Sequence, residues 1–141
     1  MTAAGRRIVL TREAQGNAPW LERLRELGFV TLDLPLLRYE TLDPPAPAGR
    51  WDWVLLTSPQ GARAYAAWAG RPDGAKIGTL GNGTRAALEA VGLFDELGCN
   101  VADGAMLARA FVASVTAPCR VLLPGAVSRM SEPAKTLRMA G

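Results

Sequence analysis

The chain has 141 residues and a mass of 15.0 kDa, which fits one domain or two small ones, because domains usually contain about 100 to 200 residues. Hydrophobic residues make up 49% and charged residues 21%, a balance that excludes the charge-rich, apolar-poor composition of disordered proteins. The formal net charge of +3 comes from basic and acidic residues spread along the whole chain, so no basic stripe indicates a nucleic-acid partner.

The chain contains no histidine, the commonest general base and the commonest metal ligand of proteins. This excludes a serine–histidine–aspartate triad and a histidine-ligated zinc site, and we expect no metal. The two cysteines, Cys99 and Cys119, lack CxxC spacing, and such usage is typical of a reduced cytosolic protein. No apolar run approaches the ~18 residues of a membrane span. The sequence therefore predicts a cytoplasmic protein with no membrane partner.

The N-terminal part of the chain follows a strand–helix–strand pattern. Arg7–Thr11 is a short apolar run, Asn17 is a candidate N-cap of a helix, and Gly28 is its stop. Residues Phe29–Leu34 then alternate between apolar and other positions as in a strand. This order predicts two parallel strands joined by a right-handed crossover.

A proline-rich segment follows this first pattern. Residues 36–42 could extend as a further strand, but 43–49 contain three prolines and support neither a ladder nor a helix. We therefore predict the first part of domain 1 at 1–37, a linker at 38–50 and domain 2 at 51–141.

The second half of the chain alternates strands with helices four times. Strands are predicted at Trp53–Leu56, Lys76–Leu80, Asn100–Ala102 and Arg120–Leu123. Helices are predicted at Pro59–Ala69, at Thr84–Val91, from the N-cap Asp103 to Ser114, and from Ser131 to a stop at Gly141. The pattern predicts a four-stranded parallel sheet flanked by helices, and an α/β protein with two lobes.

Ligands of such sheets lie beyond the carboxyl ends of the strands, where loops lead into helix N-termini with unpaired amides and partial positive charge. The loop residues at these ends offer hydroxyls, glycines or exposed amides. They are Arg12, Thr57, Ser58, Pro59, Gly81, Gly83, Thr84 and Gly125. Three further arginines, Arg63, Arg85 and Arg129, lie in or just after the same loops. Together they suit an anionic ligand that carries several carboxylates or phosphates.

Two alternatives stay open for these loops. Ser58 and Thr84 are also ordinary helix caps, so a purely structural role is possible. Residues Gly81–Ala86 fit the pattern G-x-G-x-x-A between a strand and a helix, with Asp103 about 20 residues further on, as in dinucleotide-binding folds. A dinucleotide or another anion is therefore the competing ligand, whereas the absence of GxxxxGK excludes a P-loop.

The order of motifs along the chain resembles the uroporphyrinogen-III synthase family. The segments that carry the resemblance are Val9–Arg12, Arg25–Gly28, Leu34–Leu37, Asp52–Ala62, Leu80–Thr84 and Arg120–Gly125. Two positions depart from the family pattern. Glu13 stands where a proline is usual, and Ala126 follows Pro124–Gly125 where an arginine–glycine pair is common.

The resemblance implies a cofactor-free lyase of haem biosynthesis that cyclises hydroxymethylbilane to uroporphyrinogen III with inversion of ring D. The partner would be this small anionic tetrapyrrole, which bears acetate and propionate groups on every ring. Catalysis would be largely conformational, so no catalytic acid or base is assigned, and amides at the helix starts of Ser58 and Thr84 would bind carboxylates.

The family also threads its chain through two full domains and back into the first. We accordingly expect an incomplete first lobe, a second domain without its return strand, and no activity from the 141 residues alone. The longer protein would be a monomer.

Overall fold

The computed structural model describes residues 5–116 and 118–141. The chain divides into a first compact unit that ends at Leu42 and a second that begins at Asp43. Each unit has its own parallel sheet, packed with one helix in the first unit and flanked by helices in the second, which confirms the predicted α/β class. Within the described ranges, no helix has the length and apolar character that crossing a membrane requires.

The first unit is the predicted strand–helix–strand arrangement. Its elements are β1 (Arg7–Leu10), α1 (Ala14–Glu26) and β2 (Val30–Asp33). The strands are parallel, with Arg7 opposite Val30 and Leu10 opposite Asp33. Gly28 has a φ of +83° just after α1, a conformation that favours glycine, so the predicted helix stop is confirmed.

The prediction that Asn17 caps α1 is wrong. The N-cap is Glu13, which makes no side-chain cap bond, and Asn17 lies within the helix. Asn17 is only 1% exposed, and its side-chain amide donates to the Leu10 carbonyl (3.1 Å), the Arg12 carbonyl (3.2 Å) and the Asp33 carboxylate (2.7 Å). Its amide therefore joins the start of α1 to the ends of both strands instead of capping the helix.

The further strand that 36–42 could have formed is not present, because this stretch has no strand partner. The amide of Leu34 donates to the Leu10 carbonyl and that of Leu36 to the Thr11 carbonyl, and the ladder goes no further. Leu36 is 68% exposed and Leu42 60% exposed.

The second unit consists of three strands and four helices within the described residues. They are β3 (Trp53–Leu56), α2 (Pro59–Ala67), β4 (Lys76–Thr79), α3 (Gly81–Glu89), α4 (Gly104–Ser114), β5 (Val121–Leu122) and α5 (Ala134–Met139). The strand order is β4-β3-β5, all parallel, with Val54 of β3 opposite Ile77 and Leu122. The central strand is therefore paired on both edges.

Side chains of β3 alternate between two hydrophobic clusters, one on each face of the sheet. Val54 and Leu56 pack with Leu88 in the cluster that includes α2 and α3 residues. Trp53 and Leu55 pack in the other, which includes α4 residues. Helices thus cover both faces, and all four residues of β3 are buried.

The predicted strand at Asn100–Ala102 is wrong, so the sheet has three strands in the described part of the chain instead of four. An irregular segment already occupies the outer edge of β4. There the amide of Glu96 donates to the Ile77 carbonyl (2.7 Å), and the Asp95 carboxylate accepts from the Thr79 amide (3.2 Å). These bonds use the backbone groups with which a fourth strand would pair.

Residues 43–50 have no helix or strand but contact the rest of the second unit. The indole of Trp68 donates to the Pro44 carbonyl (2.6 Å). The Arg120 guanidinium donates to the Ala48 carbonyl (3.3 Å) and lies 4.5 Å from the centre of the Trp51 ring. These contacts fix the start of the second unit next to β3 and β5.

Candidate anion-binding site

The carboxyl ends of β3, β4 and β5 lie at one edge of the second unit's sheet, because the three strands are parallel. Seven of the eight predicted site residues follow these strand ends. Three of the seven follow β3, the central strand of the sheet. They are Thr57, Ser58 and Pro59 after β3, Gly81, Gly83 and Thr84 after β4, and Gly125 after β5. The eighth, Arg12, belongs to the first unit.

Helix α2 begins as its sequence predicts. Ser58 is the N-cap in extended conformation, its hydroxyl accepts from the Gly61 amide (2.9 Å), and Pro59 is the first helical residue. Since proline has no N–H and Gly61 is capped, the Gln60 amide is the donor left without a cap among the first three helical residues. Thr57, just before the cap, is exposed.

Helix α3 begins without a capping side chain. Its N-cap is Leu80, which has no side-chain acceptor, and the first three helical amides belong to Gly81, Asn82 and Gly83. Gly81 has a φ of +73°, so a glycine is favoured where the chain turns from β4 into the helix. Uncapped amides at a helix N-terminus carry partial positive charge and are suited to a carboxylate or phosphate.

The prediction that Thr84 caps this helix is wrong. The helix starts three residues earlier, at the left-handed Gly81, so Thr84 is its fourth residue and is only 2% exposed. The donors at the surface of this end are the amides of residues 81–83, and a contact between Thr84 and a ligand stays a prediction.

The first turns of α2 and α3 lie beside each other. A Cβ atom placed on Gly83 would lie 3.6 Å from Cγ of Pro59, an ordinary van der Waals distance. Gly83 and the first residue of α2 are therefore close together, and the uncapped amides of both helix starts belong to residues next to this contact.

The four arginines near the strand ends have different surroundings. Arg12 is exposed and lies 3.6 Å from the Glu13 carboxylate, and Arg63 donates to the Gln60 side chain. Arg129 donates to the Leu123 carbonyl. Only Arg85 is held by a buried carboxylate in the described part of the chain, at 2.9 Å from Asp95, whose side chain is 1% exposed.

Asp95 was missed by sequence reasoning. It stands in an irregular segment, at no motif and at no helix cap, and its bonding partners include Thr79, 16 residues away. No local sequence signal could have found it.

The acidic residue of the dinucleotide fingerprint has another role here. Asp103 follows no strand and caps α4, its carboxylate accepting from the Met106 amide (2.8 Å). In dinucleotide-binding folds the acidic residue is available to the ribose hydroxyls. Asp103 therefore does not stand where the fingerprint of a dinucleotide site requires its acidic residue.

Comparison with known proteins agrees with the resemblance seen in the motifs. The profile of the family described as uroporphyrinogen-III synthase HemD matches residues 18–141. The chain belongs to this family. The match starts inside α1 and includes the whole second unit, so the uncapped start of α3 lies within it, whereas Arg12 precedes it.

Two curated proteins illustrate how distant the HemD relatives are. The chloroplastic uroporphyrinogen-III synthase of Oryza sativa subsp. japonica is 27% identical over 132 residues, covering 83% of this chain and 43% of the rice protein. The porphyrin biosynthesis protein HemD of Ruminiclostridium josui is 27% identical over 122 residues, covering 74% of this chain and 23% of that protein. The chain spans less than half the length of the curated relatives it matches.

Proposed function

We propose that the second unit binds carboxylate groups of a linear tetrapyrrole at the carboxyl edge of its sheet, as part of a uroporphyrinogen-III synthase. This lyase would cyclise hydroxymethylbilane with inversion of ring D. The observation that carries the proposal is the uncapped start of α3, with the amides of Gly81, Asn82 and Gly83, beside the first turn of α2. Family membership supports the choice of ligand.

The residues at this edge would act by holding the substrate. Amides at a helix start donate hydrogen bonds to carboxylate oxygens, and the helix dipole favours the negative charge. Fixing several carboxylates of one flexible chain brings its two ends together, which lowers the entropic part of the cyclisation barrier. This mode of catalysis requires donors in fixed positions, and the first turns of α2 and α3 would supply them.

Binding can be tested with uroporphyrin, a stable tetrapyrrole with acetate and propionate on each ring, by fluorescence titration of the 141-residue chain. The informative variant is Asn82→Asp. A carboxylate at the second helical position stabilises a helix through the dipole but repels an anionic ligand. We expect the affinity to fall about tenfold while the melting temperature holds or rises.

The control is Ala113→Asp, at an exposed position in the last turn of α4, where the same charge is added about 13 Å along the helix from its first residue. The proposal fails if Asn82→Asp binds uroporphyrin as tightly as Ala113→Asp and the unmodified chain. Tighter binding of NAD or NADP than of uroporphyrin would favour the dinucleotide alternative.

The reaction is tested with hydroxymethylbilane by separating type III from type I uroporphyrinogen. In a form of the protein that produces type III uroporphyrinogen, the Asn82→Asp substitution should lower kcat/KM about tenfold relative to the same protein without it, mainly by raising KM. An unchanged kcat/KM would mean that this edge does not hold the substrate.

A further inference from the structure

One buried carboxylate, that of Asp95, has hydrogen-bond donors from three parts of the second unit. Its Oδ1 accepts from the amides of Thr79 (3.2 Å) and Leu97 (3.1 Å). Its Oδ2 lies 2.9 Å from both Nε and Nη2 of Arg85, and the same Nη2 donates to the Cys99 carbonyl (2.8 Å). The carboxylate is fully partnered although its side chain is 1% exposed.

These partners lie on both sides of the start of α3. Thr79 is the last residue of β4, one position before the N-cap Leu80, and Arg85 is the fifth residue of the helix. The uncapped amides of residues 81–83 fall between them. Asp95 therefore fixes the chain immediately before and immediately after the donors of the candidate site.

The ion pair of Asp95 with Arg85 is a costly way to gain stability, because the carboxylate leaves water almost completely, whereas the Arg85 side chain stays 28% exposed. Its more general effect is to fix a geometry, since the guanidinium and the carboxylate accept few alternative arrangements. The pair has a second effect, because Arg85 stands near the positive end of α3 and Asp95 neutralises its charge.

We propose that Asp95 is a positioning residue for the anion site: through the Thr79 amide and Arg85 it holds the start of α3 so that the Gly81–Gly83 amides stand beside α2. This inference rests on the proposed function. The inference adds to the proposed function a role for Asp95, a residue that does not contact the ligand.

Positioning and simple electrostatics predict opposite signs for Asp95→Asn. The variant removes one negative charge near the site and releases the Arg85 cation, so electrostatics alone would tighten the binding of an anion. Loss of positioning would weaken the binding of an anion, because the Asp95 carboxylate would no longer hold the start of α3. A purely structural role would lower the melting temperature without changing the affinity of the folded chain.

The experiment measures the dissociation constant of uroporphyrin, well below the melting temperature, for Asp95→Asn and for the control Glu26→Gln. Glu26 forms an exposed 2.9 Å pair with Arg23 in the first unit, so the control makes the same charge change elsewhere. We expect about tenfold weaker binding for Asp95→Asn and less than twofold change for Glu26→Gln. Binding by Asp95→Asn as tight as, or tighter than, that of the unmodified chain overturns the inference.

A ligand-free readout separates this inference from the proposed function. In the amide spectrum of ¹⁵N-labelled protein, Asp95→Asn should shift the resonances of Gly81 and Gly83, and Glu26→Gln should not. If the unmodified chain does not bind uroporphyrin, the proposed function fails, and unshifted glycine resonances in Asp95→Asn overturn the positioning role itself. Should Asp95→Asn not fold, Arg85→Lys, which keeps the charge but loses the forked contact, is expected to change affinity and resonances in the same direction by a smaller amount.

Discussion

In the first unit β1 and β2 leave apolar side chains half exposed, whereas in the second unit all of β3 is buried. Val9 and Leu32, opposite each other on the two strands, are 48% and 55% exposed. Val54, Leu55 and Leu56 are each 0% exposed. The same strand–helix–strand arrangement therefore gives different burial, because a third strand and helices on both faces are present only in the second unit's described residues.

The first unit is held instead by polar contacts. Its only buried hydrophobic residue in the described part of the chain is Leu21, and its most buried residue is Asn17. The Asn17 amide bonds to both strands, and Arg25 donates to Thr31. An element order that can be predicted from a sequence therefore does not determine how much of each element is buried.

The largest expected difference between the units is in how much stability each loses when a strand leucine is replaced by alanine. Leu56→Ala should lower the free energy of unfolding of the second unit by about 3 to 4 kcal/mol, because it removes buried methyl groups and leaves a cavity. Leu32→Ala should cost less than about 1 kcal/mol, since more than half of that side chain is already in water. Hydrogen exchange of the β3 and β1 amides measures the free energy of unfolding of each unit separately. Equal losses of stability in the two variants would contradict the difference in burial between the units.

The next effect concerns Asn17. Asn17→Ala should lower the stability of the first unit by about 2 kcal/mol, because it leaves the Leu10 and Arg12 carbonyls and the Asp33 carboxylate without this donor. Exchange of the β1 amides provides the measurement. Gln15→Ala, at an exposed position of the same helix, is the control, and a loss no larger than that of the control would show that polar contacts do not hold this unit.

A smaller effect is expected at the cap of α2. Ser58→Ala should lower the free energy of unfolding by about 1 kcal/mol, because the hydrogen bond to the Gly61 amide is lost. Ser58→Gly should lower it by only about 0.3 kcal/mol. Thermal unfolding measures both changes. If uroporphyrin affinity falls along with stability in Ser58→Ala but is restored in Ser58→Gly, the serine acts as a cap. A loss of affinity in both variants would instead indicate a direct hydroxyl contact with the ligand.

The smallest effect is a pH dependence in the second unit. Burial raises the pKa of the Cys99 thiol, and the Asp95 charge adds to this; burial likewise raises the pKa of Cys119, with Asp52 adding. A thiol with a raised folded pKa contributes stability below its unfolded pKa of about 8.5, and this is lost as pH rises through the folded value. Urea unfolding should show a lower free energy of unfolding at pH 9.5 than at pH 7.5, and this decrease should be smaller in the Cys99→Ala, Cys119→Ala double variant. An equal decrease in the unmodified chain and the double variant would contradict a role for the thiols.

Much of the second unit could be predicted from local sequence. The buried run of β3, the Ser58–Pro59 start of α2 and the Asp103 cap all depend on residues close together in the chain, and they agree with the structure. Asn17 and Thr84 were misassigned for a common reason. Both are good capping types, but the N-caps are Glu13 and Leu80, because contacts of Asn17 with the strands and the left-handed Gly81 decide where the helices begin.

The candidate site was predictable in part. Parallel strands place their loops at one edge whatever the details, so Ser58, Gly81 and Gly125 could be grouped from the order of elements alone. Which donors remain uncapped depends on where each helix starts, and the role of Asp95 depends on a loop folding back against β4. Neither is encoded in a short motif.

The strand order β4-β3-β5 also has a consequence for the path of folding. Trp53 pairs with Lys76 in one neighbouring strand and with Val121 in the other, so the second pairing closes a far longer loop. Because the entropy cost of closure grows with loop length, we expect β3, α2 and β4 to form the nucleus and the two-residue strand β5 to dock last. Truncation of Val121 should then speed unfolding and leave the refolding rate nearly unchanged, while truncation of Ile77 should slow refolding.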